Sequence, residues 1–410
     1  MLKKIVTFTL LLFITGILTD SALAGSYYNS RGLGGKRYIT SAHALGMGGA
    51  MISLPDNYLI NNLNPAGLVY NRFTRLSGDF VHEATWSSTN SAEGFSKYTN
   101  LNGISLAVPL IQDKLATALS MIPTSQFDYE YSSSDAVEDY DYTKFVKASG
   151  GLNKISFGFG YAPFNKINIG ATVNYNFGKL EQTWRVDYTS DLLWDSNDIL
   201  TRKMWGLNWT LGFIAHPTPN FYVGGVFSPG YKLTMQDEIT NYTIKGSLIS
   251  TVDASSDAES NADIPEYWGF GATYVFHQKY RVSLDYLYQP WSNFHVSETS
   301  SQEYQNSFRI GGGIERLPNE NILATYFQKV TYRVGYFYQS LDFLDASNNA
   351  VTEYGASVGF GFPYYYKIGR IDVALRYGQR GDLSLNPINE EFFQVYISVI
   401  GGEKWFERPR

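Results

Sequence analysis

The side chains that could do chemistry are few and scattered. His43, His82, His216, His277 and His295 stand at no spacing that marks a metal site or a catalytic triad. His216 and His277 fall where the chain must turn, and there a solvated ring is the plain reading. Two acidic clusters, Asp135, Glu138, Asp139, Asp141 and Asp253, Asp257, Glu259, Asp263, lack the alternating Asp register with terminal Glu of a calcium loop. Lone serines are everywhere, so an outer-membrane lipase using Ser and His is conceivable, but no residue pattern marks one. The chain is therefore not expected to be an enzyme, and no catalytic residue, metal site or cofactor is assigned. The more telling charges are Arg281, Arg309, Arg333, Arg376, Asp285 and Asp372, each spaced to share the polar face of a strand. Such groups can pair with one another, grip a carboxylate by the guanidinium fork, or anchor a segment lodged among them.

The elements that position these charges follow a period of two. Ile167, Ile169, Ala171, Val173, Tyr175 and Phe177 form one face, against Asn168, Gly170, Thr172, Asn174 and Asn176. Trp205, Leu207, Trp209, Leu211 and Phe213 repeat the pattern, as do Val282, Leu284, Tyr286 and Tyr288 opposite Arg281, Ser283 and Asp285. Aromatic residues make up 16% of the chain and charged residues only 17%, against about a quarter charged in ordinary soluble domains. Cysteine is absent, so no disulfide braces the fold. A charge-poor, tyrosine-rich chain without a long apolar helix fits a closed membrane sheet, which satisfies its own backbone in lipid. Counting such stretches predicts about fourteen antiparallel strands between residues 72 and 401, with alternating short turns and long polar loops. The loops are placed at 86–98, 133–142, 180–200, 236–263, 295–301, 341–350 and 380–389, and the short turns in the periplasm. The loops would face lipopolysaccharide.

Ahead of the strands, residues 1–24 read as a cleaved signal peptide: Lys3 and Lys4, an apolar run from Ile5, then Ala22-Leu23-Ala24. Its removal takes two Lys and Asp20, moving the formal net charge from −6 to −7. That balance argues against nucleic acid as a partner. The expected location is the outer membrane of a Gram-negative bacterium.

Two stretches break the strand rhythm. Ser41–Tyr70 is small, apolar and without a period of two, with Gly46, Gly48, Gly49, Pro55 and Pro65 as punctuation. It suits a segment folded into a barrel lumen. The third strand is interrupted at Ile122, Pro123 and Thr124, and proline cannot serve a central ladder. Ala44-Leu-Gly-Met-Gly-Gly-Ala50 followed by Asn64-Pro65-Ala66-Gly67-Leu68 just before the first strand resembles the N-terminal hatch of the FadL/TodX family of outer-membrane transporters. That resemblance implies an all-β, transmembrane antiparallel barrel of 14 strands plugged by the hatch. It divides the chain into signal peptide (1–24), hatch (25–71) and barrel (72–410). It implies passive uptake of a hydrophobic small molecule, a long-chain fatty acid or an aromatic hydrocarbon, with Leu45, Met47, Met51 and Leu54 contributing an apolar lining. The interruption at Pro123 is then expected to serve as a lateral gate. An outer-membrane scaffold within a secretion or surface-attachment system, with a protein partner, is the alternative. The ending keeps it open, because Trp405 and Phe406 are followed by Glu407-Arg-Pro-Arg410 rather than closing the chain on an aromatic residue.

Overall fold

The computed structural model describes residues 25–405 apart from 138–139, 191, 246–247, 295–302, 346 and 365–367. The signal-peptide reading, His295, Glu138, Asp139 and the Glu407–Arg410 tail lie outside the described residues. The sheet is a closed antiparallel barrel of 14 strands. In chain order they are β1 (Thr74–Ser88), β2 (Glu93–Ile111), β3 (Leu115–Pro123 and Tyr129–Val137), β4 (Tyr140–Phe164), β5 (Ile167–Tyr188), β6 (Asp195–Thr218) and β7 (Phe221–Ser228 and Tyr231–Lys245). The circuit continues with β8 (Leu248–Ile264 and Tyr267–Phe276), β9 (Tyr280–Gln289), β10 (Ser307–Arg316), β11 (Thr331–Leu344), β12 (Ala350–Tyr364), β13 (Gly369–Arg380) and β14 (Asn389–Glu403). β14 closes the ring on β1, from Asn389 opposite Ser88 to Glu403 opposite Thr74.

The alternation read from the sequence sets the two faces. Ile169, Val173, Tyr175, Leu207, Trp209, Leu211, Leu284 and Tyr286 are exposed on the outer wall, where lipid covers them. Their neighbours Asn168, Asn174, Asn176, Thr210, Arg281, Ser283 and Asp285 are buried on the inner wall. The inner polar groups bond along the wall: Ser156 Oγ donates to Asn174 Oδ1 at 2.7 Å, Asn174 Nδ2 to Thr210 Oγ1 at 3.1 Å, and Asn208 Nδ2 to Ser228 Oγ at 3.0 Å. With its apolar belt outside and its sheet closed into a ring, the protein is an outer-membrane barrel.

The structure corrects one set of expected boundaries. Much of 133–142, 180–200 and 236–263, expected as loops, is strand. β4, β5 and β6 run for 25, 22 and 24 residues, about twice the 9–11 that cross a bilayer. Above the membrane both strand faces meet water, so the apolar alternation that reveals a strand is lost while the backbone ladder continues. The upper halves of β7 and β8 pair with each other from Tyr231 opposite Ile264 to Lys245 opposite Leu248.

Candidate functional site

Ser41 to Tyr70 packs against the inner wall. The Ser41 hydroxyl accepts from Ala44 N and starts a short helix, α1 (Ala42–Gly46). Gly48 and Gly49 then turn the chain at φ +64° and +90°, values an L side chain rarely adopts. Glycines on the wall receive this turn. A Cβ on Gly313 would stand 2.7 Å from Met47 Cα, and one on Gly359 3.0 Å from Gly46 Cα. The Asn64–Gly67 stretch opens a 3-10 turn, Pro65–Tyr70, seated on a second bare patch, where a Cβ on Gly160 would stand 2.8 Å from Pro65 O. Asn64 caps that turn through Oδ1, which accepts from Ala66 N at 3.1 Å. Its Nδ2 donates to Ile52 O at 2.7 Å and to Phe213 O in β6 at 3.1 Å.

The inward charges meet this segment directly. Asp285 Oδ2 accepts from Met51 N at 2.6 Å and Ile52 N at 2.7 Å, and Arg309 donates to Gly48 O at 3.0 Å. Below them, Glu315 binds Arg281 and, at 2.8 Å, Arg333, while Asp372 binds Arg333 at 2.7 Å and Arg370 at 2.8 Å. The segment adds Asp56, 3.2 Å from Arg281 and 3.5 Å from Arg370, and His43, whose Nδ1 is 2.7 Å from Arg370. Three guanidinium groups thus face three carboxylates, a charge balance that lets all of them be buried. His43, Asp56 and Glu315 could each offer a metal-ligand atom within 4.8 Å of the others. Their lone pairs are directed at Arg281, Arg333 and Arg370, so the arrangement is an anchor.

Burial and then the Arg333 charge hold the His43 pKa well below its ordinary value, against the pull of Asp56 and Glu315. Neutral His43 is therefore an acceptor for Arg370. An unfolded chain takes up this proton near pH ~6.5, before the folded one does. His43 accordingly favours the folded state fully above that pH and progressively less below it. Denaturant unfolding in detergent is expected to show stability falling between pH ~7.5 and ~5.5, with a shallower fall in His43→Gln. Equal slopes in the two proteins would remove His43 as the cause.

Above the segment lies a cavity of about 200 Å³. Its lining includes Leu33, Met51, Ile122, Leu152, Leu287 and Trp291, with tyrosines 28, 38 and 267. Two lysines also face it. Lys36 lies 2.9 Å from Asp342 and 3.1 Å from the centroid of the Trp291 ring, and burial pulls its ammonium down to about 8 against Asp342. Lys154, on β4, has no hydrogen-bond or ion-pair partner among the described residues.

The cavity reaches the wall where β3 is interrupted. β2 pairs with β3 only from Ile111 opposite Leu115 to Ile104 opposite Met121. β3 stays joined to β4 through Pro123, opposite Asn153, and then through Thr124 N to Leu152 O at 2.8 Å. Because Thr124 N–H points to β4, the proline nitrogen points the other way, toward β2. Continued register would set Pro123 against Asn102. There β2 carries its own irregularity, a bulge between the pairs Asp79–Gly103 and Phe80–Leu101, with Gly103 at φ +142°. Ser125–Gln126 leaves the wall and pairs instead with Gly35–Lys36 of the N-terminal segment. Arg37 N donates to Thr124 O at 2.9 Å, and Asn102 Nδ2 to Thr40 O at 2.7 Å.

Of the residues singled out in sequence, Met51, Ile122 and Thr124 come together at the cavity. Leu45, Met47 and Leu54 do not line it; they are fully buried between the segment and the wall. Pro123 lies in the wall beside Ile122 and Thr124. Gly46, Gly48, Gly49, Asn64, Pro65, Ala66 and Gly67 hold the turns described above. The sequence reading did not find Lys36, Lys154 or Trp291. Lys154 had a signal: it shares the inward face of β4 with Leu152, Ser156 and Gly158, and is a rare cation there.

A protein-family model described as BamG matches residues 1–410. No curated protein matches the chain. Among solved structures, the CymD monoaromatic hydrocarbon channel is similar over 92% of this chain and 99% of its own, with 16% identity and a TM-score of 0.61. The toluene transporter TbuX of Ralstonia pickettii is similar over 88% and 98%, with 15% identity and a TM-score of 0.58. A FadL homologue of Pseudomonas aeruginosa is similar over 88% and 98%, with 11% identity and a TM-score of 0.61. At such identities the likeness is one of fold.

Proposed function

The chain belongs to the BamG family and has the fold of FadL-type barrels, and from that premise we propose that it admits a hydrophobic small molecule passively across the outer membrane. In this reading Ser41–Tyr70 is the plug, the cavity above it is the binding site, and the interruption at Ile122–Thr124 is the lateral exit. The observation that carries the reading is the apolar cavity whose lining includes Ile122 and Thr124, beside the place where β2 and β3 part. A solute held back by the polar lipopolysaccharide layer gains a route that never returns it to water.

Within that class Lys154 favours an acidic amphiphile, a long-chain fatty acid, over a neutral aromatic hydrocarbon. A lone ammonium beside apolar walls lacks a counter-charge, and a carboxylate supplies one. Purified protein is expected to bind a fluorescent fatty acid with micromolar affinity, about −8 kcal/mol. Lys154→Gln should weaken that binding about tenfold or more, since a hydrogen bond to a charged group contributes roughly 1.5–3 kcal/mol. Binding of a neutral aromatic should be unaffected. Binding of toluene but of no fatty acid would transfer the assignment to hydrocarbons. Failure to bind either, with a stoichiometric protein partner co-purifying, would move it to the scaffold.

A further inference from the structure

One connection at the periplasmic end breaks the rule of short turns. Residues 317–330 join β10 to β11 and carry a single helical turn, α2 (Tyr326–Lys329). Asn319 N donates to Gln328 O at 2.9 Å and closes the excursion. Inside it, Asn319 and Asn321 accept from the backbone of Asn321 and Leu323, both at 2.9 Å. Asn319 and Asn321 thus engage the loop's own backbone, while the apolar side chains point away from it. Ile322 is 89% exposed, Leu323 90% and Phe327 73%, a cluster of bare apolar side chains that water alone would not favour.

What covers them is indicated by where the turn is tied. Tyr332 Oη donates to Phe327 O at 3.2 Å. Tyr332 stands on the outer face of β11, alternating with the buried Thr331 and Arg333 and in line with the exposed Val334 and Tyr336. The excursion therefore continues the lipid-facing belt at its lower edge. Cations ring the same place: Arg316 lies 5.4 Å from the Tyr332 ring, Lys279 accepts from Leu317 N through its carbonyl, and Lys329 donates to Ile322 O at 3.0 Å. Glu320 is the one acidic residue between 317 and 330. Apolar side chains beside a cationic rim match the inner leaflet, with acyl chains above and phosphate groups at the level of the rim.

We propose that residues 320–329 form an interfacial anchor that buries Ile322, Leu323 and Phe327 in the periplasmic leaflet of the outer membrane, with Lys279, Arg316 and Lys329 meeting lipid phosphates. The chain has no cysteine, so single-cysteine variants take one label each. Leu323→Cys, Phe327→Cys and the control Gln112→Cys, on the exposed β2–β3 turn, would carry an environment-sensitive nitrobenzoxadiazole group. Each full-length protein would be placed in nanodiscs of phosphatidylethanolamine and phosphatidylglycerol. The labels at 323 and 327 are expected to emit blue-shifted, to be quenched by headgroup-proximal spin-labelled lipid, and to lose quenching by aqueous iodide relative to 112. Water-like emission and full iodide access at both 323 and 327 would overturn the anchor. The same result in nanodiscs, with protection only in native outer-membrane vesicles, would overturn it too and assign the patch to a protein partner. Two labelled sites keep the test decisive if one variant fails to show the heat-modifiable mobility of a folded barrel.

Discussion

Excision of residues 42–68, with the flanks rejoined by a short flexible linker, is expected to raise single-channel conductance in planar bilayers well above that of the intact protein. The reason is geometric. An eight-stranded barrel is filled by its own side chains, whereas a barrel of fourteen approaches the size that leaves an aqueous channel. Here the inner wall is faced with small residues where it meets the segment, Gly313, Gly335 and Gly359 on one side and Gly160, Gly170 and Gly212 on the other. Those positions contribute no bulk of their own, so removing 42–68 leaves open space. The charges left behind, Arg281, Glu315, Arg333 and Asp372, pair mainly with one another and would be hydrated, which keeps the empty barrel foldable. A less drastic variant acts through the same contact. Gly335→Val would drive a side chain into the Met47–Gly48 backbone and unseat the plug without shortening the chain. Conductance unchanged by the excision would remove the plug from the proposal.

Pro123→Val is expected to slow uptake of a hydrophobic ligand while leaving assembly and equilibrium binding in place. The proline nitrogen faces β2, where a continued ladder would need a donor opposite Asn102. Valine restores that donor and has the strand preference to use it. Leaving wall groups unpaired in hydrocarbon costs several kcal/mol each, so a restored ladder would hold the exit shut strongly. Two features temper the effect and make a second variant informative. The bulge at Asn102–Gly103 turns β2 away at the same level, and the Asn102 side chain is committed to Thr40 O. Combining Pro123→Val with Asn102→Val should therefore slow uptake further than either change alone. Uptake in both variants equal to that of the unaltered protein would sink the lateral exit.

Much of this was legible from local pattern, because whether a strand residue faces lipid or lumen depends only on its parity and its neighbours. Ile169 beside Gly170 and Leu284 beside Asp285 carry their placement in the sequence itself. Gly46, Gly48 and Gly49 likewise marked a segment that must fold tightly, and Pro123 marked a strand that could not stay whole. The extracellular halves of β4 to β8 escaped notice because water on both faces erases the parity signal there.

Sequence by itself determined the closed sheet, its apolar belt, the non-strand insert ahead of it and the position of the interruption. Each of these follows from residue chemistry within a window of a few positions. Tertiary structure alone decided that Asn102–Gly103 would bulge opposite Pro123, and that Gly35–Lys36 would pair with the piece of β3 that leaves the wall. It alone drew Arg281, Glu315, Arg333, Arg370 and Asp372 from four strands onto His43 and Asp56, and turned Lys154 toward the cavity with no carboxylate among the described residues paired to it. Those relations depend on register around the whole ring, since one residue of shift between two strands carries a side chain to the opposite face. Only closure of β14 onto β1 fixes that register, and no local stretch of the chain contains it.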